Sequence, residues 1–172
     1  ATYILLEGLE RLGAEVDSDI PDRIRDGYGL NIELVERAYR EGVDTILTCD
    51  NGIAAAEEIA CGKRLGMTMI VTDHHEVPYV ETDGEKVYQL PPGDAVIDPK
   101  RLCGAAVAYK LMEALYEASG RDSEELDDLI ENVAIATVGD VMELTDENRI
   151  FVREGLAMLG RSRNLGLNAL ME

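Results

Sequence analysis

Met69-Ile70-Val71-Thr72-Asp73-His74-His75 runs from apolar and β-favouring residues straight into one acid and two imidazoles. These are the chain's two histidines, and they are adjacent. The apolar part predicts a buried strand, which would deliver Asp-His-His at its carboxyl end. A metal centre or a phosphate site would use such a delivery; a polar turn with solvated histidines is the plainer alternative.

The flanking sequence supplies a frame for that strand. Val43–Cys49 predicts a strand ending in Asp50-Asn51-Gly52, and a helix over Ala54–Leu65 follows, stopped by Gly66. Upstream, Asn31 can cap a helix over Ile32–Glu41 with Leu34, Val35, Ala38 and Tyr39 inward, and Glu15–Ile20 predicts a short strand ending at Pro21. Strands and helices alternating at this spacing indicate an α/β fold with a parallel sheet and right-handed crossovers. Ligands gather at the carboxyl ends of such strands, where Asp50 and Asp73 both fall, one crossover apart.

Downstream, Asp83-Gly84 between two short β-favouring runs predicts a surface hairpin, and Ala95–Ile97 one more short strand before Asp98-Pro99. The rest reads as helical. A helix is expected over Ala105–Tyr116, then one opened by Asp122 with Glu125 three residues on, striped by Leu126, Leu129, Ile130, Val133 and Thr137. Gly139 breaks it, with Asp140 next. Thr145 caps another helix carrying Val152, Leu156 and Leu159 on one side, and a last helical segment begins after Arg163. The first twelve residues predict a helix whose face is Ile4, Leu5, Leu9 and Leu12. No repeat, low-complexity tract or internal domain boundary is evident.

Composition narrows the class. At 172 residues, with 46% hydrophobic and 30% charged residues, the chain reads as one globular domain. No apolar run approaches the roughly 18 residues of a membrane span, and no signal-peptide pattern is present. Cys49, Cys61 and Cys103 form an odd set without C-x-x-C spacing, which reads as reduced packing thiols of a cytoplasmic protein. The net charge of −19 argues against a general affinity for nucleic acid, but not against a local phosphate site built from carboxylate-held metals. The chain opens at Ala1, without Met and already in a helical pattern, so it is expected to be a piece of a longer protein.

Asp50, His74 and Asp140 are the candidate metal ligands, each following an apolar element at or beside a glycine-containing break. Mixed carboxylate and imidazole donors suit manganese, iron or zinc better than calcium, and magnesium where oxygen dominates. Two metals sharing a carboxylate would polarise a phosphoryl group, generate hydroxide and stabilise the leaving oxygen. Asp50, at a strand end, is the choice for the bridge. Asp73 could orient an imidazole from behind, and His75 could bind or protonate phosphoryl oxygens. Taken singly, Asp50-Asn51-Gly52 reads as a tight turn, Gly139-Asp140 as a helix stop and Arg23 as an exposed charge. No phosphate-binding glycine loop is present.

Together the blocks say more. Asp73-His74-His75 resembles the motif that names the DHH phosphoesterase superfamily. Within it, Ile20-Pro21-x-Arg23 with Gly27-Tyr28-Gly29-Leu30-Asn31 resembles the RecJ family of bacterial single-strand-specific exonucleases. Asp50-Asn51-Gly52-Ile53, Cys103-Gly104-Ala105, Gly139-Asp140-Val141 and Asn148-Arg149 do so too. The resemblance implies a three-layer α/β/α domain with a mainly parallel five-stranded sheet and a helical C-terminal portion. It also implies two divalent metal ions, manganese or alternatively magnesium, and 5′ to 3′ degradation of single-stranded DNA in repair and recombination. Other repair proteins would be further partners; no membrane is implied. Position by position, Asp50 would bridge the metals, His74 and Asp140 would be ligands, and Asp73 a ligand or support. His75 and Arg23 would contact the phosphate.

The family's upstream Asp-x-Asp and its downstream substrate-binding domains are expected to lie outside this chain. Between the Asp98-Pro99 element and the Cys-Gly-Ala helix, only Lys100, Arg101 and Leu102 intervene where the family has a longer segment. The alternatives are a related phosphodiesterase acting on short oligonucleotides or cyclic dinucleotides, a pyrophosphatase, and a non-catalytic relative that only binds partners.

Overall fold

The computed structural model describes residues 1–21 and 29–171. They form an α/β protein that divides into two compact units, Asp19–Lys100 and Ala1–Ser18 with Arg101–Glu172.

The first unit is built on three parallel strands, β1 (Thr45–Cys49), β2 (Thr68–Thr72) and β5 (Ala95–Ile97), in the order β1-β2-β5. The Asp-His-His strand is therefore central. Alternation of its side chains puts Met69 and Val71 fully inside. They meet Val35 of helix α2 (Ile32–Arg40) and Ile59 and Cys61 of helix α3 (Ala56–Arg64), which with Met67 complete one core cluster. Gly62 of α3 makes this close approach possible, since a Cβ there would lie 2.2 Å from the Met69 sulfur. The Asn31 side chain caps α2 by accepting from the Leu34 N–H at 2.9 Å, as its position predicts.

Between β2 and β5 the crossover carries a hairpin, not a helix. Strands β3 (Tyr79–Thr82) and β4 (Glu85–Tyr88) pair antiparallel around Asp83-Gly84, both with positive φ, the geometry that makes Asp-Gly a hairpin turn.

The second unit is helical. Helix α1 (Thr2–Arg11) lies on α4 (Gly104–Ala118), where Gly8 admits Met112 and the Tyr116 hydroxyl donates to the Gly8 carbonyl at 3.2 Å. Helices α5 (Ile130–Gly139) and α6 (Asp146–Leu159) pack against each other through Ala134 and Gly155. Tyr109 of α4 meets Phe151 of α6 edge to face at 5.6 Å. Helix α7 (Leu165–Met171) closes the described chain.

Several expectations are corrected. Glu15–Ile20 is not a strand; it is almost wholly exposed, with Ile20 at 75%, so its β-favouring residues have no sheet to join. Among the described residues the parallel sheet has three strands where five were expected. The segment after Asp122 starts as a 3-10 helix over Ser123–Leu129 and becomes α-helical only at Ile130. Tyr39, expected inward, is about half exposed. Thr145 sits at the N-cap of α6 without a capping side-chain bond. No described helix is long and apolar enough to cross a membrane.

Candidate metal centre

The register of the parallel sheet decides where the acids emerge. Cys49 pairs with Thr72, and Thr72 with Ile97, so the next residue on each strand stands at the same level, just past the sheet. The Asp50 N–H donates to the Thr72 carbonyl and the Asp73 N–H to the Ile97 carbonyl, each at 3.0 Å. The ladder thus holds the backbone of both acids while their side chains lie beyond it.

Asp50 then turns the chain sharply. Its φ of +61° is left-handed, a conformation that a short polar side chain tolerates better than most. The Thr48 hydroxyl donates to the Asn51 carbonyl at 2.8 Å, and the Asn51 amide to the Cys49 carbonyl at 3.1 Å, bracing the turn from both sides. Gly52 follows at φ +109°, where a Cβ would stand 2.6 Å from the Thr48 hydroxyl oxygen and 3.2 Å from Val71. Only glycine fits there.

Asp73 is 1% exposed and collects donors. One carboxylate oxygen accepts the Ile53 N–H at 2.9 Å. The other accepts the N–H of His74 at 2.8 Å and that of His75 at 3.3 Å, and meets His75 Nδ1 at 2.6 Å. Burial pushes this carboxyl up. The bonds from Ile53, the His75 ring, and the His74 and His75 N–H groups outweigh it, and the pKa lies below the ordinary 3.8. An ionised Asp73 makes Nδ1 the donor nitrogen of His75 in this pair.

His74 Nε2 lies 3.0 Å from an Asp50 carboxylate oxygen, and the two imidazoles stand 4.6 Å apart between centroids, tilted by 48°. One ligand atom from each of Asp50, His74 and His75 falls within a 4.8 Å span. His74 is nearly buried, while Asp50 and His75 are about half exposed, so the group opens to solvent on one side.

The expected ligands Asp50 and His74 thus come together, and His75, expected as a phosphate contact, joins them in the same group. Asp73 lies behind His75 and is not one of the three. Asp140 belongs to the helical unit, at the C-cap of α5, and is exposed. Arg23, with Gly27 and Tyr28, lies outside the described residues. The sequence reading did not single out Asp98, the first residue after β5, although every strand of this sheet is followed by an aspartate.

A parallel α/β unit carrying carboxylate and imidazole groups at its strand ends is a frame for a divalent metal. The chain belongs to the DHH family: the sequence model of the "DHH family, N-terminal domain" matches residues 1–137. It is 38% identical over 173 residues to the single-stranded-DNA-specific exonuclease RecJ of Bacillus subtilis, covering all of this chain and 21% of that protein. With the Thermus thermophilus RecJ it shares 37% identity over 179 residues, covering 99% of this chain and 25% of the other. Among solved structures, it resembles an exonuclease RecJ bound to manganese, with a TM-score of 0.82 and 37% identity, over 98% of this chain and 42% of that one. A RecJ from Thermus thermophilus in complex with Mn2+ gives 0.76 and 32%, over 98% and 24%. The chain therefore spans less than half the length of these relatives, and about a quarter or less of the two curated ones.

Proposed function

We propose that this chain is part of the catalytic core of a metal-dependent exonuclease that degrades single-stranded DNA from the 5′ end, acting in repair and recombination in the cytoplasm. The observation that carries the reading is the convergence of Asp50, His74 and His75 within a 4.8 Å span at the end of a sheet whose whole chain resembles RecJ.

The donor set suits a divalent metal of the manganese type, being mixed oxygen and nitrogen, compact and open on one side, and the reading takes two such ions. Asp50 would bridge them, and His74 and Asp140 would be ligands. Bound there, the ions would supply Lewis acidity and a nucleophilic hydroxide at neutral pH. The protein's own part is positioning. Asp73 fixes the His75 tautomer, so that Nε2 can face a ligand or a phosphoryl oxygen, and Arg23 would add a cationic contact to the phosphate. On this reading the chain is one DHH domain, and the substrate-binding domains lie in the rest of the protein.

The test is made on the intact protein. Manganese binding is followed by calorimetry, and hydrolysis is compared on 5′- and 3′-blocked single strands and on dinucleotides. Asp50→Asn should abolish both metal binding and turnover. A preference for dinucleotides over long strands, or no manganese binding by the wild type, would overturn the reading.

A further inference from the structure

The sheet ends in three aspartates at one level, and the third has no part in the centre described above. Asp98 follows Ile97, whose partner is Thr72, so it stands beside Asp73. Its side chain is only 9% exposed. One carboxylate oxygen pairs with Lys100 Nζ at 2.9 Å; the other is buried and meets no hydrogen-bond donor among the described residues. The same ammonium donates to the His75 carbonyl. Lys100 therefore crosses from the end of β5 to the loop that carries the histidines.

The plainer reading is a surface ion pair, which contributes little. Two features separate this pair from that class. A buried carboxylate with an unmet oxygen is costly, so Asp98 is held there against a penalty. Its cation is aimed at the backbone of a cluster residue. An ammonium has three N–H groups; Asp98 and the His75 carbonyl take two, and the lysine side chain is 42% exposed.

We propose that Lys100, set by Asp98, is a phosphate-binding residue of this centre, its remaining N–H meeting a non-bridging oxygen of the phosphodiester on the His75 side. The proposal rests on the function proposed above. In a chain of net charge −19, a cation anchored beside the cluster would draw an anionic substrate into surroundings that otherwise repel it. Asp98 is then a positioning residue.

The experiment uses the intact protein with Lys100→Met, Lys100→Arg and Asp98→Asn. Lys100→Met should raise KM for single-stranded DNA about tenfold to a hundredfold, the loss of one charge-assisted hydrogen bond. It should also flatten the dependence of log kcat/KM on log salt by about 0.7, the share of one phosphate contact on a single strand. Manganese affinity should stay unchanged. Lys100→Arg should restore most of the KM, and Asp98→Asn should show a smaller rise. An unchanged KM and salt slope for Lys100→Met would overturn the proposal, and so would weakened manganese binding with the slope intact, which would make Lys100 a mere brace for the loop. If the wild type cleaves bis(4-nitrophenyl) phosphate but not DNA, the exonuclease reading falls alone. The KM of Lys100→Met for that ester then decides on Lys100: a rise supports the proposal and no change overturns it.

Discussion

Asp73 and Asp140 both follow an apolar element, yet the two parts of the molecule treat them oppositely. Asp73 ends a central strand, is buried, and has its charge matched by two neighbouring N–H groups, the Ile53 N–H and a ring nitrogen. Asp140 caps the carboxyl end of α5, where the helix dipole is already negative and an acid is unwelcome. The next residue adds to the cost. Val141 N–H bonds the Val138 carbonyl and Met142 N–H the Thr137 carbonyl, the paired bonds of a Schellman stop. The residue at the left-handed position of that stop is normally glycine. Here it is Val141, at φ +55° and 87% exposed, so no packing compensates its strain. One acid is built into the fold by matched donors, and the other stands at a helix end beside a strained residue.

The largest effect should come from Asp73→Ala. It strips the buried N–H of Ile53 and the part-buried N–H groups of His74 and His75 of their acceptor and should cost about 3 kcal/mol. Urea denaturation of the metal-free protein measures this. The native carboxyl titrates below its ordinary 3.8, so its stabilisation is complete above that value and is lost as the pH falls through the depressed pKa. The gap between wild type and variant should therefore close in acid. A cost under about 1 kcal/mol at neutral pH would erase the contrast with Asp140.

Val141→Gly tests the other side and should act in the opposite direction. Relief of the left-handed valine should stabilise by about 1 kcal/mol, reduced by the entropy that glycine adds to the unfolded chain. A thermal melt suffices, since about 1 kcal/mol moves Tm by roughly 2–4 °C in a protein of this size. A destabilised variant would mean that the turn is not strained.

These two sites also mark what the sequence could reveal. Strands β1, β2 and β5, the Asp83-Gly84 hairpin and the Asn31 cap were legible because their signals are local: alternation, a turn dipeptide, a capping side chain. Asp50 and Asp73 were legible together because parallel strands put their ends on one side. Glu15–Ile20 misled because β-favouring composition says nothing of whether a neighbouring strand exists. The grouping of His75 with Asp50 and His74 was not legible, because it depends on the Asp73 carboxylate turning the ring. Val141 defeats the sequence rule outright: glycine is sought at a helix stop, Gly139 supplied one, and the chain used the residue two places on.

The smallest effect should come from an acid on an exposed face. In the helical unit, partial burial first, and then the neighbouring charges of Asp122, Asp128 and Glu113, raise the Asp127 carboxyl above its ordinary value. The fold therefore disfavours the charged form, and that penalty is present at neutral pH. It fades as the pH falls through the raised pKa and is gone below the unfolded one. Asp127→Asn should raise Tm at neutral pH by only about 1 °C, because like charges on an exposed face repel weakly through water. The gain should vanish near pH ~3, where wild type and variant are both neutral at this position. Asp73→Ala and Asp127→Asn should thus both approach the wild type in acid, one from below and one from above. If Asp127→Asn were destabilising at neutral pH, the acids of the helical unit would be structural as well, and burial with matched donors would no longer separate the two kinds.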